Sequence, residues 1–148
     1  MSYPQHSTDM GTHPELTEMR ERLEHAASSG RGIALEGLIV LSGLYAAISP
    51  WVVHFFPQSD ITVNNLLVGI TIGLIGLGTA LAPERMFRMG WALAPLGVWL
   101  IISPWVVTAA HTARAGIIWN NVCLGAVVTL LGLAAMGLTV GVSRHPRD

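Results

Sequence analysis

Six residues occur twice in this chain. Ile48-Ser49-Pro50-Trp51-Val52-Val53 returns unchanged as Ile102-Ser103-Pro104-Trp105-Val106-Val107, each copy closing a long apolar run. An internal repeat fixes the unit of construction before any single element is assigned. Registering the two copies brings Gly43 onto Gly97, Leu44 onto Val98 and Tyr45 onto Trp99 upstream. Downstream, with two extra residues in the second copy, Asn64-Asn65 falls on Asn120-Asn121, Gly69 on Gly125, and Gly76-Leu77 on Gly132-Leu133. The chain reads as one two-helix hairpin written twice.

Composition decides the solvent of that hairpin. Half of the 148 residues are apolar and only 11% are charged, with all eight basic residues arginine. Soluble domains carry roughly 25% charged residues, so this chain lacks the charge to coat a water-facing surface. The charges are also segregated: Arg20, Arg22, Arg31 and five of the acids precede residue 32, and most others fall in short breaks between apolar runs. This is the distribution of an integral membrane protein. A net charge of −1 with no basic stripe gives no support to nucleic-acid binding. Cys123 has no second cysteine to pair with and reads as a small buried hydrophobe. A cleaved signal peptide is not expected, because the first apolar run begins only after some 32 polar residues.

Residues 1–12 read as a disordered tail, and residues 1–32 together as a polar cytoplasmic segment. Within it, Thr12 with Glu15 has capping-box spacing, and Pro14 suits a first turn. Leu16, Met19, Leu23 and Ala26 then share one face of a short amphipathic helix over 12–27. Ser28-Ser29-Gly30-Arg31-Gly32 is expected to be a flexible linker. The helix either rests on the membrane or the bundle, or docks a cytoplasmic partner protein. Its acids outnumber its bases, so attraction to anionic lipid is not the obvious explanation.

Four apolar runs follow: Ile33 to about Phe56, Thr62–Leu81, Met89–Ala110, and Ile117 to Val142. Gly37–Val53 alone is about 26 Å long as a helix, close to a hydrocarbon core of roughly 30 Å. Backbone groups in lipid need partners within the segment, so all four runs should be α-helices. The first repeat occupies 33–86 and the second 87–142, with a C-tail at 143–148. The fold class is all-α: four transmembrane helices as two tandem hairpins, plus the short N-terminal helix. With four spans, the two tails and the middle loop share a side and hold Arg20, Arg22, Arg31, Arg85, Arg88, Arg144 and Arg147; the other two loops hold only Arg114. The positive-inside rule puts both termini in the cytoplasm and both hexapeptides at the outer ends of spans one and three.

Tandem hairpins with Ser-Pro-Trp in each first helix resemble the SPW-repeat family of small bacterial integral membrane proteins. The resemblance covers roughly residues 34–140 and leaves out the N-terminal helix. It implies membrane residence and the paired-helix unit, and it brings no catalytic or ligand residues.

The residues themselves say more about the repeated motif. Proline removes an amide donor and frees the carbonyl four residues back, that of Ala46 for Pro50 and of Leu100 for Pro104. Such a group is costly in lipid. Ser49 and Ser103 can bond back to the preceding turn. The pairs Asn64-Asn65 and Asn120-Asn121, at the same level on the returning helices, are expected to bond the broken turn or the indole N–H of its Trp. Trp51 and Trp105 suit interfacial anchoring, with Trp119 beside them and Trp91 at the opposite face. A functional alternative is a polar pocket in the outer leaflet where the two kinks face each other. Gly69, Gly73 and Gly76, repeated as Gly125, Thr129 and Gly132, form a small-residue seam, and Gly43 and Gly97 supply matching notches. Intramolecular packing is the expected use of this seam, with a homo-oligomer as the alternative. Glu36 lies in the first turn of the first span, where pairing with Arg85 or Arg88 is expected, with a proton-relay role as the alternative.

No nucleophile–base pair, metal-ligand spacing or phosphate-cradling loop stands in the sequence. His54 and His111 do not repeat, and no metal or cofactor is expected. The expectation is therefore a non-enzymatic, structural or partner-binding membrane component; the alternative is a small transporter or channel.

Overall fold

The computed structural model describes residues 14–82, 87–108 and 113–143. The chain divides into two compact units, residues 1–33 and 34–148. Four α-helices are described: α1 (Pro14–Val52), α2 (Ser59–Leu81), α3 (Leu93–Val107) and α4 (Ala115–Ser143), with a 3-10 segment over Phe87–Ala92 leading into α3. No strand occurs among the described residues.

In the first unit the described chain is helical from Pro14, with Glu15 in the first turn. Thr12, and with it the capping-box pairing, lies outside the described residues, as do the side chains of Leu23 and Ala26. Leu16 and Met19 are exposed. The stretch 28–32 is helical and not the expected linker. Each glycine costs about 1 kcal/mol in a helix interior, but no proline interrupts the ladder there, so helix on both sides carries through.

Among the described residues, four segments are long and apolar enough to cross a membrane: Ser29–Val52, Ser59–Leu81, Met89–Val107 and Ala115–Leu138. The third is built differently from the others. Pro95 has no amide to close on the Trp91 carbonyl, so α-helical bonding starts late and a 3-10 segment precedes it. At about 2.0 Å per residue in 3-10 and 1.5 Å in α, the stretch from Met89 still reaches about 30 Å. Span one ends at Val52, short of Phe56, and Ala110 lies outside the described residues.

Within the second unit, buried positions recur at helical spacing and are small or polar as often as they are large. On α2 they are Ile61, Asn65, Gly69, Ile72, Ile75 and Gly76; on α3, Leu93, Gly97, Leu100, Ser103 and Pro104. The large side chains Leu38, Leu41, Leu67, Leu74, Leu130 and Leu133 face outward instead. Lipid is as apolar as leucine, so burial there gains little, and close approach of small residues decides which face turns inward. The core joins both hairpins through twofold-related residues: Ile39 with Leu93, Ala46 with Leu100, Ile72 with Val128. A second cluster of Phe55, Ile61 and Ile117 closes the hexapeptide end.

The two proline-bearing helices leave the bundle by different routes. After α1, His54 adopts φ 60°, and the Phe55 amide bonds the Pro50 carbonyl at 2.9 Å. That is a Schellman turn with histidine where glycine is usual. In the second copy, Thr108 takes extended backbone and its hydroxyl donates to the Pro104 carbonyl. The second repeat carries its two extra residues between Val107 and Asn120. A left-handed residue with a Cβ costs about 1–2 kcal/mol, so His54→Gly is expected to stabilise the protein by about 1 kcal/mol. Thermal unfolding in detergent checks it; a lower midpoint would contradict the turn assignment.

Candidate functional site

The prolines make the site necessary. Pro50 and Pro104 are fully buried inside α1 and α3, and each leaves the carbonyl four residues earlier without its helical donor. Ser49 Oγ donates to the Ala46 carbonyl and Ser103 Oγ to the Leu100 carbonyl, both at 2.9 Å. A hydroxyl has one hydrogen. Having given it to the carbonyl, each serine can only accept from its other side.

That requirement sets the asparagines. Asn65 Nδ2 donates to Ser49 Oγ at 3.1 Å and Asn121 Nδ2 to Ser103 Oγ at 3.0 Å. The second hydrogen of each amide crosses between the hairpins: Asn65 Nδ2 to Asn121 Oδ1 at 2.8 Å, and Asn121 Nδ2 to Asn65 Oδ1 at 3.0 Å. The other lone pair of each carbonyl accepts from the preceding residue, Asn64 Nδ2 at 3.2 Å and Asn120 Nδ2 at 3.1 Å. Both inner amides thus use two hydrogens and two lone pairs, their full capacity. Ser49, Ser103, Asn65 and Asn121 are all 0% exposed. No buried polar side-chain atom among the described residues lacks a partner.

The outer asparagines carry the network to the surface. Trp99 Nε1 donates to Asn64 Oδ1 at 2.8 Å, and Tyr45 OH donates to Asn120 Oδ1 at 2.9 Å. Each of these bonds joins one hairpin to the other. Every partner has its repeat equivalent in the same role: 45 with 99, 49 with 103, 64 with 120, 65 with 121. The node therefore sits on a pseudo-twofold axis running between Asn65 and Asn121.

The asparagines reach the broken turns through the serine hydroxyls, and not by bonding the freed carbonyls themselves. The indole that reaches an asparagine belongs to Trp99; Trp51 and Trp105 are about half exposed. The repeat register pairs Tyr45 with Trp99 but assigns neither ring a partner. Their signal was available: two rings with one polar hydrogen each, at one register position, four residues before the repeated serine.

The glycines bring the helices close enough for the node to close. A Cβ on Gly43 would meet the backbone of Gly73, and a Cβ on Gly69 would lie 2.6 Å from the Gly43 carbonyl oxygen. Gly97 meets Thr129 in the same way, and a Cβ on Gly125 would come within 2.9 Å of the Ile101 nitrogen. At Gly76 and Gly132 it would meet Val40 Cγ2 at 2.9 Å and the Ala94 nitrogen at 2.6 Å. Gly73 departs from the expected seam. Its own Cβ direction is open, with nothing within 4 Å; it contributes the surface on which Gly43 rests. In the second hairpin Thr129 fills that position and turns its hydroxyl back to the Gly125 carbonyl at 2.7 Å.

Glu36 is half-buried near the start of the first span; Arg85 and the Arg88 side chain lie outside the described residues, as does His111. His54 and Asp60 are exposed. No group of three or more potential metal ligands occurs among the described residues.

Four apolar spans closed over a polar node whose inner amides are saturated define a multi-span helical membrane protein. A family model for the SPW repeat domain matches residues 34–135. The chain belongs to that family of small bacterial integral membrane proteins. No curated protein and no solved structure gave a match.

Proposed function

We propose that the protein is a structural or partner-binding component of the cytoplasmic membrane, without enzymatic activity and with both termini in the cytoplasm. The observation that carries this reading is the closure of the central node. A solute path needs polar groups with unused capacity along a wetted surface. The polar groups at the repeat axis are spent on one another and have no exposed surface. A packed bundle of this kind serves as an anchor and a spacer.

The N-terminal helix supports the partner-binding half of the reading. Glu15, Glu18, Arg20, Glu21 and Arg22 are exposed alongside Leu16 and Met19, a mixed surface suited to a cytoplasmic protein. The arginine asymmetry supports the orientation.

Pull-down from native membranes in mild detergent, using the full chain and a chain lacking residues 12–27, tests the proposal. A stable co-purifying protein lost with the deletion is the expected result. Solute flux through vesicles reconstituted with the purified chain would instead establish the transporter alternative.

A further inference from the structure

The inner asparagines are saturated; the outer ones are not. Asn64 Nδ2 gives one hydrogen to Asn65 Oδ1 and Asn120 Nδ2 gives one to Asn121 Oδ1. The second hydrogen of each amide has no acceptor among the described residues. Both asparagines are partly exposed, and the rings that bond them are exposed by 37% at Trp99 and 39% at Tyr45. These corners lie on the two seams between hairpins, one joining α2 to α3 and the other α1 to α4.

Depth limits what can take the free hydrogen. Asn64 and Asn120 stand five residues after the first residues of α2 and α4, so each is about 7.5 Å along its helix. That is just inside the hydrocarbon boundary of a roughly 30 Å core, where bulk water is scarce and an unmatched N–H is costly. Below Asn64, at helical spacing toward the bilayer centre, Leu67 and Thr71 are exposed, and Thr71 has turned its hydroxyl to its own backbone. Below Asn120 the equivalent positions are Cys123 and Val127, also exposed; Cys123 therefore faces outward and is not the buried hydrophobe expected of it. Each corner thus joins one spare donor to an apolar track leading inward.

We propose that the Asn64–Trp99 and Asn120–Tyr45 corners are two equivalent lipid sites, each donating an amide hydrogen to the acyl-ester carbonyl of a glycerophospholipid. The acyl chain lies along the track beneath. Ester carbonyls are the acceptors that a bilayer supplies at this depth, and the headgroup stays outside the site. Headgroup identity should therefore matter little. This proposal is independent of the partner-binding reading.

The test uses the full chain, purified in detergent, with native mass spectrometry counting retained lipid. Probes are a diacyl phosphatidylcholine and its diether analogue, which keeps headgroup and chains but lacks both carbonyls. The expected result is up to two diacyl lipids per chain, with the diether retained about threefold to tenfold less, as fits loss of one hydrogen bond. Asn64→Ala and Asn120→Ala should each lower the diacyl stoichiometry by one. Equal retention of diacyl and diether lipid by the unaltered chain would overturn the proposal, and that comparison stands even where a variant fails to fold.

Discussion

Replacing Asn65 with leucine is expected to destabilise the bundle by about 3 kcal/mol, and replacing Asn121 in the same chain to cost little more. Asn65 answers four groups at once: Ser49 Oγ, both halves of the Asn121 amide, and Asn64 Nδ2. Leucine of similar size leaves Asn121 with one hydrogen and one lone pair unmatched in a site with no exposed surface. Each unmatched buried group costs about 1–3 kcal/mol. Single hydrogen bonds between membrane helices average only about 0.6 kcal/mol, because the unfolded chain in lipid also finds partners. The larger figure applies here because two groups on one residue are orphaned together. With both asparagines gone, the serines still cap the Ala46 and Leu100 carbonyls, and the groups left without a partner are the partly exposed amides of Asn64 and Asn120 and not fully buried ones. A double-mutant cycle by equilibrium unfolding in bicelles should therefore return a coupling of about 2–3 kcal/mol. Additive costs would mean that the two amides do not meet.

The second large effect is expected at Gly69, where alanine should cost about 3 kcal/mol or abolish folding, while Gly73→Ala should cost nothing and stabilise by up to about 1 kcal/mol. The two glycines are neighbours on one helix and look interchangeable in the sequence. A Cβ at Gly69 would press on the Gly43 carbonyl oxygen at 2.6 Å and the Ala46 carbonyl carbon at 2.9 Å. These are backbone atoms of α1, which cannot rotate aside as a side chain would. Relief requires the helices to separate, and separation stretches the Asn65–Ser49 bond. At Gly73 the added methyl points into open space, so only helix propensity acts, and it favours alanine. Thermal unfolding of the two variants side by side decides the matter. Equal losses would show that the whole glycine row is in contact; no loss at Gly69 would remove the close approach.

Much of this arrangement could be read from the residues. The doubled hexapeptide gave the hairpin unit, the apolar runs gave the spans, and the proline rule identified Ala46 and Leu100 as the carbonyls needing help. The register placed asparagine pairs opposite them. What could not be read was which member of each pair turns inward. Asn64 and Asn65 are identical in chemistry, and only the helix phase fixed by Gly69 against Gly43 sends Asn65 to the axis. The crossing of partners between hairpins, Trp99 to Asn64 and Tyr45 to Asn120, follows from how the hairpins pack, which no local pattern encodes. A pocket between the kinks was a fair alternative from sequence, since chemistry alone does not say whether facing polar groups hold a ligand or each other. Residues 28–32 are helical where a linker is expected, because glycine and serine weaken a helix without forbidding it. The histidine at the left-handed position after α1 carried no signal, as glycine would have done.

The central claim is that the two hairpins are joined by one reciprocal pair of amides buried in the bilayer. Solid-state NMR on the full chain in lipid bilayers, with labelled asparagine side chains, measures this contact. The predicted result is mutual cross-peaks between Asn65 Nδ2 and the Asn121 side-chain carbonyl carbon, and between Asn121 Nδ2 and that of Asn65, with both amides resisting exchange into deuterated buffer. Side-chain amides that exchange freely and show no contact with each other would contradict it.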